Sequence, residues 1–143
     1  MTDTDKLISG LCDPDNGKAY ALTLSMLSRS AASDELAGAI PALLPLLSHS
    51  SSYVRIRAFQ LITAQARWGA LTSEDLDTLL ALLRTDKPAA VRQYLAALQT
   101  PAQAQPSLRD QLRAGLQTMD LSRFRDSMRP LIERDIAALT ELL

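Results

Sequence analysis

The sequence predicts an all-α fold, a short α-α superhelix of about four antiparallel helix pairs that occupies one domain, residues 1–143. Three observations predict it. Apolar residues fall three and four apart, the spacing of one face of a helix. No stretch alternates with a period of two, so strands are not expected. A pattern also recurs every 37 residues, in Tyr20-Ala21-Leu22-Thr23-Leu24, Arg57-Ala58-Phe59-Gln60-Leu61 and Tyr94-Leu95-Ala96-Ala97-Leu98. Recurrence of this kind marks stacked units, because one helix pair cannot bury its own apolar face and the neighbouring pairs supply the core.

The elements follow in order. A first helix runs through Leu11 and Cys12 and ends at Asp13-Pro14, where proline interrupts the chain. The second carries Tyr20 to Leu24. Ser33, followed by Asp34-Glu35, reads as the N-cap of a third helix with acids at its positive end. That helix contains "IPALLPLLS", with Leu43, Leu44, Leu46 and Leu47. A fourth, over 52–68, places Val54, Ala58, Leu61 and Ile62 in the core and stops at Gly69. Thr72 or Ser73 then caps "LDTLLALLR" with Glu74-Asp75 behind it. Lys87-Pro88 separates that helix from "AVRQYLAAL", and "TPAQAQPS" (100–107) reads as a loop within the domain. In the last quarter, "SRFRDSMRPLIER" reads as one helix kinked at Pro130 that carries Arg123, Arg125, Arg129 and Arg134.

Composition narrows the function classes. The chain has 143 residues, 47% hydrophobic and 22% charged, the balance of a globular domain able to bury a core. Its net charge of −1 argues against holding nucleic acid by bulk electrostatics. The single cysteine, Cys12, makes no internal disulfide, and no signal peptide or membrane span is legible, so the expected location is the cytoplasm. No catalytic constellation is found. His49 is the only histidine and lies in "SHSSS", a solvated turn, while Cys12 reads as a packed small residue. The five glycines are scattered, so no phosphate loop exists, and the acid pairs Asp34-Glu35 and Glu74-Asp75 are explained by capping. No metal or cofactor is expected.

"LLRTDKPAAVRQYLAAL" resembles the HEAT/armadillo-like helical repeat, through Leu82, Leu83, Asp86, Val91 and Arg92, with Leu95 in the alanine slot. "LCDPDNGKAYALTL" is similar through Leu11, Asp13, Lys18, Ala21 and Leu24, with Gly17 in place of the valine. In "LLSHSSSYVRIRAFQLI" His49 or Ser50 fills the aspartate slot, and "MDLSRFRDSMRPL" is a degenerate fourth copy through Asp120, Phe124 and Arg125. The resemblance implies that the aspartates and basic residues form a ladder between layers. It also implies that the second helix of each pair lines a concave face that binds extended partners.

On that face the expected partner-binding residues are Tyr20, Arg57 and Tyr94, one slot in three successive repeats, together with Gln60 and Arg67 on the same ridge. An aromatic, guanidinium, aromatic column offers packing and a bidentate donor to a carboxylate. The leading expectation is a non-catalytic scaffold for a protein or peptide. Two alternatives compete. One is a nucleic-acid binder akin to the HEAT-like DNA glycosylases for alkylated bases, for which this chain has little positive charge and one Trp. The other is a self-assembling regulatory subunit whose exposed end layers pack on copies of itself.

Overall fold

The computed structural model describes residues 2–143. The fold is all-α, and no strand occurs among the described residues. The α-helices are α1 (Asp3–Leu11), α2 (Asn16–Ala32), α3 (Ile40–Leu43), α4 (Ser52–Ala64), α5 (Ser73–Thr85), α6 (Pro88–Ala97), α7 (Gln99–Ala104), α8 (Arg109–Gln117) and α9 (Arg129–Thr140). They stack in two rows. In one row α1 touches α3, the turn Leu44–Ser48 touches α5, and α5 touches α8; in the other α2, α4, α6 and α9 pack in succession. The rows meet where α1 lies on α2, α3 on α4 and α5 on α6. Among the described residues no helix is long and apolar enough to cross a membrane.

Local chemistry sets the element ends. Thr2 and Asp5 form a capping box on α1, and Thr72 and Asp75 form another on α5, so two orphan N–H groups are satisfied reciprocally at each start. Asp15 accepts from Lys18 N at the head of α2. Gly69, in the left-handed region at φ 69, ends the 3-10 turn Gln65–Trp68 that follows α4. Pro88 opens α6 after Lys87, where its missing N–H costs nothing. A β-carbon at Gly10 would meet Leu22 Cδ2, so α1 and α2 cross closely there and a larger residue would have to displace that methyl.

Four sequence expectations are corrected. Ser33 is the C-cap of α2, not the N-cap of the next helix. The segment after it begins with the 3-10 turn Ala37–Ala39, and α3 lasts only four residues because Pro45 cannot donate the next helical bond; Leu44–Ser48 tightens to 3-10 instead. Segment 100–107 is mostly helical: Pro101 sits in the first turn of α7, where proline is tolerated. The arginine-rich stretch is not one kinked helix. Leu121–Arg123 is a 3-10 turn, and α9 starts afresh at Arg129 with Pro130 in its first turn.

The core is aliphatic. Leu11, Leu43, Leu61, Ile62, Leu76, Leu79, Leu95 and Leu98 are fully buried, and the rings of Phe59 and Tyr94 stack with centroids 4.3 Å apart. The 37-residue recurrence holds between α4 and α6, where Val54, Ala58 and Leu61 match Val91, Leu95 and Leu98, all buried. It slips in α2, whose buried residues are Ala19, Thr23, Met26 and Ser30, leaving Tyr20 and Leu24 outside. Counted from the cap, α2 agrees with α6 but not with α4, whose Val54 and Ala58 lie three and seven residues after Ser51. Ala19 and Thr23 lie four and eight residues after Asp15, as Val91 and Leu95 do after Lys87.

Truncating Leu61 or Leu98 to Ala should cost about 2–5 kcal/mol in urea unfolding, the usual penalty for a cavity in a closed core. A loss below about 0.5 kcal/mol would mean that these side chains do not hold the rows together.

Candidate functional site

Two kinds of polar structure lie along the α2, α4, α6, α9 row. The first is a set of buried ties between layers. Arg55 on α4 grips Asp86 with both arms of its fork, Nε to Oδ2 and Nη2 to Oδ1, each at 2.9 Å. Its remaining nitrogen donates to the carbonyls of His49 (2.7 Å) and Ser50 (3.1 Å). Asp86 also accepts from the Tyr94 hydroxyl at 2.5 Å and from Lys87 N at 2.8 Å. Burial works to raise the Asp86 carboxyl, but the bonds from Arg55, Tyr94 and Lys87 N outweigh it and hold the group below its ordinary value. Burial, and then the bond to anionic Asp86, push the Tyr94 phenol above its ordinary range.

A second tie runs from Arg92 on α6 to Asp135 on α9 at 2.8 Å, half in solvent. The expected fourth-copy acid, Asp120, instead caps the turn before Phe124 through Ser122. Between the first two layers the tie runs backwards: Arg57 reaches from α4 to Leu11 O (3.1 Å) and Asn16 Oδ1 (3.0 Å). His49 carries no acid to meet Lys18, and its Nδ1 accepts from Ser51 N. Arg123 donates to Leu83 O and Asp86 O, covering carbonyls that the end of α5 leaves open, and its guanidinium lies over the Phe124 ring at 4.1 Å. Arg129 is spent on Leu121 O and Phe124 O.

The expected binding column therefore does not form. Tyr94 is 0% exposed and Arg57 6%, each committed to partners inside the fold, while Tyr20 is 61% exposed. The slip of register in α2 turns Tyr20 outward, and the need to satisfy Asp86 and Leu11 O turns the other two inward.

The second feature is a shallow groove of about 260 Å³ over α2, α4, α6 and α7, lined by Leu27, Gln60, Thr63, Ala64, Gln93, Ala96, Ala97 and Thr100. Of the residues singled out in the sequence, Gln60 lines it; Arg67 is exposed beyond the end of α4. Ala64 belongs to the ridge that the sequence placed beside Gln60; Gln93, Ala96 and Ala97 were not anticipated, although Ala97 stands 37 residues after Gln60 and carries the same slot. Tyr20, Leu24 and Tyr53 are exposed large apolar side chains of the same two helices, α2 and α4. A larger cleft of about 740 Å³ opens between α1, α2 and segment 35–39, with an Arg29–Glu35 ion pair at its rim. No cluster of three or more metal-ligating side chains exists among the described residues. Comparison with family models, curated proteins and solved structures finds no match.

Arg57→Ala should cost about 1–3 kcal/mol, because it leaves Leu11 O unpaired in a buried place. A melting temperature equal to wild type would return Arg57 to the surface. Asp86 gives a pH test. Its folded-state pKa is depressed, so its contribution is present above the unfolded value near 4 and is lost as pH falls through the folded one. The stability gap between wild type and Asp86→Asn should thus be widest near neutrality and shrink in acid below about pH 4. A gap independent of pH would show that the charge of Asp86 is not what ties the layers.

Proposed function

We propose that the chain is a non-catalytic adaptor, a HEAT/armadillo-like stack whose α2, α4, α6 face docks an extended stretch of a protein or peptide. One observation carries the reading. Gln60 and Gln93 stand in a groove with no charged lining residue, and their side-chain amides make no hydrogen bond among the described residues. A carboxamide both donates and accepts, which matches the N–H and C=O of a peptide main chain. Gln105 already does this inside the fold: it donates to Leu71 O and accepts from Leu71 N, each at 3.0 Å. Small neighbours, Ala64, Ala96 and Ala97, leave room for a backbone to approach.

An uncharged groove favours polypeptide over nucleic acid, which is gripped through phosphates by Lys and Arg. The exposed Tyr20, Leu24 and Tyr53 supply apolar contact area of the kind that dominates interfaces. The ties Arg55–Asp86 and Arg92–Asp135 support the repeat resemblance, since each joins a layer to the next through the expected arginine. The reading gives His49 and Cys12 no catalytic role.

Linear peptides selected from a random library on the immobilised chain provide the test. Ala96 is exposed, so Ala96→Arg fills the groove while changing stability by no more than about 0.5 kcal/mol. Selected peptides should bind Ala96→Arg and Gln60→Ala at least about tenfold more weakly, a loss of about 1.4 kcal/mol. Undiminished binding to both variants would place the docking face elsewhere.

A further inference from the structure

We draw no further inference here: the strongest candidate, the cleft between α1, α2 and segment 35–39, has an apolar floor of Leu7, Leu22 and Met26 and rim charges of Asp3, Lys6, Arg29 and Glu35 that cancel, and nothing in the structure shows what fills it.

Discussion

Asp86 is a nearly buried carboxylate, and the fold is arranged so that every lone pair it carries is used. Arg55 brings α4 to it, Tyr94 brings α6, and Arg123 brings the Leu121–Arg123 turn to its main-chain oxygen. Three segments, two of them more than thirty residues away in sequence, thus converge on one residue. A buried ion pair adds little net stability over an apolar replacement, but removing one member leaves the other charge unpaired at a cost of about 3–5 kcal/mol. Proline makes the convergence possible: Pro88 keeps Lys87 extended, so the chain leaves α5 and re-enters α6 with Asp86 at the junction.

The same contact decides what α6 presents to solvent. With the Tyr94 hydroxyl on Asp86 and its ring on Phe59, α6 has little rotational freedom. Val91, Leu95 and Leu98 then point into the core, and Gln93, Ala96 and Ala97 are left along the groove. On α4 the corresponding pin is the pair Arg55 and Arg57, one reaching forward to Asp86 and the other back to Leu11 O. Groove residues owe their placement to polar contacts on other faces of their helices. The groove is a by-product of how the core is locked.

Much of this was legible from residue order. Leucine spacing marks the core of α4, α5 and α6, Thr72 and Gly69 mark boundaries through their own local chemistry, and Asp86 with Arg92 stands out in the repeat resemblance. What was not legible depends on distant partners. Nothing near Arg57 says that Leu11 O lies within reach, and an arginine on a helical ridge reads as solvated until its neighbour is known. Tyr94 reads as an interface residue for the same reason, since its partner Asp86 is on the preceding turn but oriented by Arg55. The α2 register was hidden because a 37-residue count back from Val54, Ala58 and Leu61 lands on Gly17, Ala21 and Leu24, two residues short of the buried Ala19, Thr23 and Met26. Segment 100–107 misled because Pro and Gln are loop-like by composition, whereas Pro101 falls in a first turn and Gln105 is buried against Leu71.

The central claim is that one carboxylate locks α4 and α6 to the junction between α5 and α6, and native-state hydrogen exchange of Asp86→Asn against wild type tests it most directly. The account predicts that amides of α4 and α6 lose protection together and by a similar factor, because they share one anchor, while the Leu121–Arg123 turn, held by the Asp86 main-chain oxygen, changes less. Loss of protection confined to the junction of α5 and α6, with α4 unchanged, would contradict it.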